Sequence, residues 1–91
     1  MANNIYDELR KKLEESIESF PYVYMFKFIV KADNKTIAQV QGIFDNDADI
    51  AQKESAKGNY LSITVKQVVM SVDEIIAFYE KASAIEGVMT L

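Results

Sequence analysis

The turn from Lys57 to Tyr60 holds the residues best suited to bind a ligand in this 91-residue chain. Lys57 supplies a positive charge, and Gly58 and Asn59 tolerate backbone conformations in which successive N–H groups converge on an anion. Together with Tyr60, these residues predict a site for a carboxylate or another small anion. The alternative is a hairpin turn in which Gly58 and Asn59 serve geometry alone, because hairpin turns favour both residue types without a ligand.

The composition gives little support to a metal site or to catalysis. The chain contains no Cys and no His, which excludes thiol catalysis, disulfides, a histidine base and a Cys/His zinc site. Asp45, Asp47 and Asp49 begin like a calcium-binding loop. The pattern then fails, because Ile50 and Ala56 stand where that loop needs a Gly and a bidentate Glu. We therefore predict no enzyme activity, no metal and no cofactor.

The charge balance is acidic, with ten Lys and Arg against fourteen Asp and Glu and a formal net charge of −4. Nucleic-acid binders concentrate basic residues in a patch that displaces counterions from phosphates. The basic cluster in this sequence, 10–12, lies among Glu8, Glu14 and Glu15 and predicts a solvated helix face. The N-terminus lacks the basic and apolar regions of a signal peptide. The longest apolar run, 22–26, is too short to cross a bilayer. We predict a cytoplasmic protein that binds neither nucleic acid nor a membrane.

The apolar pattern predicts seven elements that position these residues. Apolar residues recur every fourth position from Ile5 to Ile17, which predicts a leading helix over 4–18 capped by Asn4. Strict alternation predicts a strand over 60–68. The most hydrophobic stretch, apolar on nearly both faces, predicts a central strand over 22–31. The remaining elements are a helix over 35–44 capped by Asp33 or Asn34, a polar edge strand over 49–56, a helix from the cap Ser71 to about residue 84, and a closing strand over 88–91.

After the leading helix, the predicted elements run strand, helix, strand, strand, helix, strand. Two right-handed strand–helix–strand crossovers place both helices on one face of a four-stranded antiparallel sheet. The predicted fold is therefore α+β, a ferredoxin-like βαββαβ sandwich with strand order 4-1-3-2. We divide the chain into an amphipathic helix over 1–19 and a ferredoxin-like domain over 20–91.

One face of this predicted sheet has no helix of the βαββαβ unit to cover it. By alternation it carries apolar, lysine and hydroxyl side chains of the two central strands, namely Met25, Lys27, Ile29, Ser62 and Thr64. An uncovered apolar patch beside lysine is typical of an interaction surface and predicts a protein partner or a homodimer. The alternative is coverage by the leading helix, whose apolar stripe also needs burial.

The segment Ser55-Ala56-Lys57-Gly58-Asn59-Tyr60 resembles a motif of the YbeD-like family of small bacterial proteins of unknown function. The resemblance covers residues 20–91 and includes Phe20-Pro21, Lys27 and the ending Ile85-x-x-Val88-Met89-x-Leu91. The polar second strand and the longer leading helix depart from the family's pattern. The resemblance implies a ferredoxin-like fold similar to ACT regulatory domains, no enzyme activity, and regulation through a bound ligand or partner.

Two functional hypotheses follow. The first is a small regulatory module that senses a metabolite or anion at the Lys57–Tyr60 turn or at a dimer interface. The second is a protein-interaction adaptor or homodimerisation module that uses the open face of the sheet. Binding of small molecules distinguishes the first hypothesis from the second.

Overall fold

Seven elements form one antiparallel sheet and a layer of helices. In the computed structural model, which describes residues 5–91, they are α1 (Asp7–Ser16), β1 (Tyr22–Lys31), α2 (Asn34–Gln41), β2 (Asp49–Glu54), β3 (Tyr60–Val69), α3 (Val72–Ser83) and β4 (Val88–Thr90). The strands lie in the order β2-β3-β1-β4, which reads β4-β1-β3-β2 from the opposite edge. The prediction of an α+β protein with a four-stranded antiparallel sheet is confirmed.

The two central strands, β1 and β3, pair antiparallel over ten residues each. Their register places Phe26 opposite Val65 and Phe28 opposite Ile63, and all four side chains are fully buried. The helices cover this face of the sheet, with Val40 of α2 and Ile75 of α3 among the other fully buried side chains. The core therefore lies between the sheet and the helices, as the alternation of β1 and β3 predicts.

An aromatic cluster fills the centre of this core. The ring centroid of Phe26 lies 5.2 Å from that of Phe44, 5.4 Å from that of Phe78 and 5.1 Å from that of Tyr79. The hydroxyl oxygens of Tyr24 and Tyr79 are 3.0 Å apart and share a hydrogen bond. Burial and this hydrogen bond raise the pKa of Tyr79, because both favour the neutral phenol.

The two later helices begin at the caps that the sequence predicts. The Asp33 carboxylate accepts a hydrogen bond from the N–H of Lys35, and Ser71 Oγ accepts one from the N–H of Glu74. The predicted C-terminal end of α2 is wrong, because the helix stops at Gln41 rather than at residue 44. The predicted end of β2 at residue 56 is also wrong, because the chain already turns at Ser55, whose carbonyl accepts from the N–H of Gly58.

Helix α1 packs beside α3 and extends the helix layer. Leu13 and Ile17 are buried in the main core, the Arg10 guanidinium forms an ion pair with the Asp73 carboxylate, and Tyr6 Oη lies 3.0 Å from Ser83 Oγ. Helix α1 does not cover the opposite face of the sheet. Within residues 5–91, no helix combines the length and the apolar character needed to span a bilayer.

The start of α1 differs from the prediction. The helix begins at Asp7 and ends at Ser16, which is shorter than the predicted 4–18. Ile5 belongs to the predicted apolar stripe, yet it lies before the helix and is 87% exposed. Asn4, the predicted cap, lies outside the described residues.

One polar side chain, Gln67, lies within the core and is 2% exposed. Its Nε2 donates to Asp45 Oδ2 at 2.8 Å and to the carbonyl of Val68 at 2.8 Å. Its Oε1 accepts from the backbone N–H of Asp45 at 3.2 Å. Burial is tolerated because each polar atom of the amide has a partner, and these bonds hold Asp45, in the middle of the loop between α2 and β2.

Candidate functional site: the open sheet face

The face of the sheet opposite the helices is exposed, and we call it the open sheet face. All four strands contribute side chains to it, and cross-strand partners identify them. They are Val23, Met25, Lys27, Ile29 and Lys31 of β1, Asp49, Ala51 and Lys53 of β2, Tyr60, Ser62, Thr64, Lys66 and Val68 of β3, and Met89 of β4. The five residues predicted for an interaction face therefore lie together on one surface.

Two apolar patches lie at opposite ends of the open sheet face. In the Met25 patch, Val23 lies opposite Val68, and Met25 follows along β1. In the Met89 patch, Met89 lies opposite Ile29. The Met25 and Met89 side chains are 55% and 57% exposed. Grouped exposed apolar side chains mark interaction sites more often than single ones do.

Two lysines, which we call the lysine band, lie beside the Met25 patch (Lys66) and between the two patches (Lys27). Lys27 lies opposite Thr64, and Lys66 lies opposite Met25 on one side and Asp49 on the other. Lys27 and Lys66 are therefore diagonal neighbours, a relation that brings side chains within reach of each other. In the part of the chain that the structure describes, neither lysine forms an ion pair. Both ammonium groups are therefore available to an anionic partner.

A groove of about 500 Å³ opens beside the Met89 patch, where the β2–β3 hairpin ends. Its lining is mainly apolar and comes from all four strands and the hairpin turn, with Ile29, Lys53, Glu54, Ser55, Ala56, Tyr60, Leu61, Ser62 and Met89. Tyr60 also borders a second, more polar depression of about 400 Å³ that includes Lys31, Asp33 and Asn59. The open sheet face thus ends in a concave region beside Tyr60.

The Lys57–Tyr60 turn has a geometry that the hairpin itself explains. Gly58 has φ +72°, in the left-handed region that glycine adopts most readily, whereas Asn59 does not. The N–H of Gly58 donates to the Ser55 carbonyl at 2.9 Å, and the N–H of Tyr60 donates to Ser55 Oγ at 3.2 Å. These bonds occupy two of the N–H groups that an anion would need. Lys57 is exposed and lines neither groove, so an anion site here stays a prediction.

The predicted interaction face omitted several contributors to the open sheet face, among them Lys53, Lys66 and Met89. Lys66 follows from the alternation of β3 and could have been included. Lys53 requires the register of β2 with β3, which places it opposite Ser62. Met89 requires the pairing of β4 with β1, and a three-residue strand offers too little alternation to indicate which face its side chains share.

Comparison with known proteins places this chain in a family. A family model described as "Protein of unknown function (DUF493)" matches residues 15–91. The chain belongs to the DUF493 family. The predicted resemblance to YbeD-like small bacterial proteins of unknown function is thereby confirmed.

Curated relatives of this DUF493 protein carry the name UPF0250 protein. One from Shewanella baltica is 37% identical over 84 residues, which span 88% of this chain and 94% of the relative. Another from Shewanella piezotolerans is 33% identical over 84 residues, with the same shares of the two chains. No solved structure matches the chain. The names assign no activity to DUF493, so function has to be argued from the surface described above.

Proposed function

We propose that this DUF493 protein is a non-catalytic regulatory module that binds a partner protein through the open sheet face. One observation carries the proposal: the Met25 and Met89 patches are exposed while all three helices lie on the other side of the sheet. Methionine is enriched at protein interfaces and adapts its shape to a partner. The absence of His and Cys from the sequence also favours binding over acid–base or thiol catalysis.

The fold assignment is part of the same proposal. The series β4-β1-β3-β2, with α2 between β1 and β2 and α3 between β3 and β4, supports a ferredoxin-like sandwich related to ACT regulatory domains. In such a sandwich the helices occupy one face, which leaves the other face for a ligand, a second copy or another protein. A regulatory role in the cytoplasm belongs to this proposal as well.

Replacing Met25 by glutamate is expected to weaken partner binding by at least about thirtyfold, the effect of losing one binding hot spot. The reason is that a carboxylate at the centre of an apolar contact must lose its water without gaining a matched partner. Capture from an extract of a bacterium that encodes the protein, with quantitative mass spectrometry, identifies the partner. Titration of the purified partner then gives the dissociation constants of wild type and variant.

Met70→Glu is the matched control. Met70 is 59% exposed, but it lies beside the cleft between α1 and α3. We expect this variant to keep the partner and both variants to keep the wild-type melting temperature within a few degrees. A captured set that is the same for the wild type and for Met25→Glu would contradict the proposal.

A second candidate is binding of a small metabolite in the groove beside Tyr60. Its volume of about 500 Å³ lies within the range of small-molecule sites, which are also concave and mainly apolar. This candidate preserves the metabolite-sensing hypothesis but moves the site from Lys57 to the groove.

A thermal-shift panel of amino acids, nucleotides and cofactors tests this candidate. A ligand at a hundred times its Kd is expected to raise the melting temperature by roughly 10–20 °C in a domain of this size. Tyr60→Ala should abolish the shift, whereas Lys57→Ala should leave it unchanged. The opposite result would return the site to the turn, and no shift across the panel would count against metabolite sensing.

A further inference from the structure

Basic residues are concentrated on the open sheet face of an otherwise acidic chain. Four lysines and one aspartate lie on it, Lys27, Lys31, Lys53, Lys66 and Asp49, which leaves a net charge of +3. The whole chain has a formal net charge of −4. The surface that exposes the two apolar patches therefore has the opposite sign from the rest of the molecule.

The lysine band gives this charge a defined position. Lys27, between the Met25 and Met89 patches, and Lys66, beside Met25, are diagonal neighbours, and their like charges repel each other. A carboxylate placed over the pair would relieve that repulsion and form two ion pairs. A matching ligand therefore presents apolar groups at its two ends and negative charge between them.

A helix fits this surface better than an extended peptide does. The backbone groups of the four strands already pair with one another within the sheet. An extended peptide lying flat on the face would therefore find no partners for its own N–H and C=O groups. A helix satisfies these groups internally, and helices are the elements that cover sheet faces. Met25 and Ile29 are four residues apart in β1, about 13 Å at the rise of a strand. Apolar residues seven or eight positions apart lie on the same side of a helix and span about 10–12 Å, which is close to this distance.

We propose that the open sheet face binds an acidic amphipathic helix of another protein. Apolar residues of that helix contact the Met25 and Met89 patches, and its carboxylates lie over Lys27 and Lys66. This inference rests on the proposed function and adds the chemistry and shape of the partner to it.

Two other occupants fit the surface less well. A second copy packed face to face would bring lysine bands of the same sign together, which opposes association. Single-stranded nucleic acid requires aromatic side chains on which bases stack, and Tyr60, at one end of β3, is the aromatic residue of the open sheet face.

The test is selection from a display library of 20-residue, helix-patterned peptides with random residues on every face. Wild-type protein is the bait, and enriched peptides are synthesised for titration. We expect enrichment of Asp and Glu over Lys and Arg between two apolar positions seven or eight residues apart. The double variant Lys27→Glu/Lys66→Glu should bind these peptides about tenfold or more weakly than the wild type does. Raising the salt concentration should also lower the affinity of the wild type for them.

Lys11→Glu/Lys35→Glu is the matched control, since it makes the same change in net charge with two exposed lysines of α1 and α2. It should leave the peptide affinity within about twofold, because screening limits the effect of distant charges. Equal losses in both double variants would show a response to net charge alone and would overturn the assignment of Lys27 and Lys66.

The remaining outcomes separate this inference from the proposed function. Enriched peptides that lose binding on Met25→Glu but show no acidic excess would overturn the acidic partner and leave the open-face proposal standing. If no peptide is enriched, or if Met25→Glu leaves the affinity of the enriched peptides unchanged, both the acidic-helix inference and the open-face proposal would be overturned. A dimer that Met25→Glu dissociates in sedimentation, or an oligonucleotide that binds this face, would replace the acidic helix as its occupant.

Discussion

Replacing Phe26 by alanine is expected to lower the free energy of unfolding by about 3–5 kcal/mol, the range for removing a buried aromatic ring. Phe26 is 0% exposed, and its ring lies within contact range of Phe44, Phe78 and Tyr79. Alanine would leave a cavity where the sheet meets α3, and the surrounding rings could fill it only in part. Urea unfolding followed by circular dichroism gives the change directly.

Two further variants make this expectation decisive. Met25→Ala alters the preceding residue of the same strand, on the open sheet face, and should cost less than about 1 kcal/mol. Phe26→Leu keeps most of the volume and should cost about 1–2 kcal/mol, so it gives a measurement if the alanine variant does not fold. Equal effects of Phe26→Ala and Met25→Ala would mean that the buried and exposed faces of β1 are assigned the wrong way round.

Leu13→Ala is expected to lower the free energy of unfolding by about 2–4 kcal/mol, within the range for a buried leucine. Leu13 belongs to α1, yet its side chain is buried with the main core, where α1 contacts α3. The loss should appear in one cooperative unfolding transition, because α1 and the rest of the core share these contacts. Fluorescence and circular dichroism unfolding curves of the variant should therefore coincide.

Ile5→Ala is the control for the same apolar stripe. Ile5 is largely exposed and lies before α1, so its replacement should change the free energy of unfolding by less than about 0.5 kcal/mol. A small effect of Leu13→Ala, similar to that of Ile5→Ala, would show that α1 is not packed against α3 in solution. It would then reopen coverage of the open sheet face by the leading helix.

The sequence predicts strands far better than it predicts where helices pack. The bounds of β1 match the prediction, and β3 extends one residue further, because alternation of β-branched and aromatic residues is a local signal. The apolar stripe of α1 indicates that one face of this helix is buried, but it does not indicate which surface of the protein that face packs against. The alternatives of the open sheet face and the helix layer could be separated only by tertiary contacts such as the Arg10–Asp73 ion pair.

The candidate site was predictable in part for the same reason. Met25, Lys27 and Ile29 follow from alternation within β1, and Ser62 and Thr64 from alternation within β3. Gln67 lies on the buried face, as alternation within β3 requires, but its polar type conceals this, because its burial depends on a hydrogen-bond partner, Asp45, that lies 22 positions earlier in the chain. Side chains from the edge strands required a register, which depends on backbone pairing and not on residue type.

Because β4 is short, β1 is paired on both sides along one part of its length and on one side, with β3, along the other part. β4 pairs with Phe28–Val30, and the Lys27 carbonyl accepts the N–H of Leu91 at 2.9 Å. Backbone groups alternate in direction along a strand, so those of Val23 and Met25 point past the end of β4. We therefore expect their amide hydrogens to exchange quickly with water, as in an edge strand, and that of Tyr24, which is directed towards β3, to exchange slowly. This half of β1 can accept another strand without displacing β4.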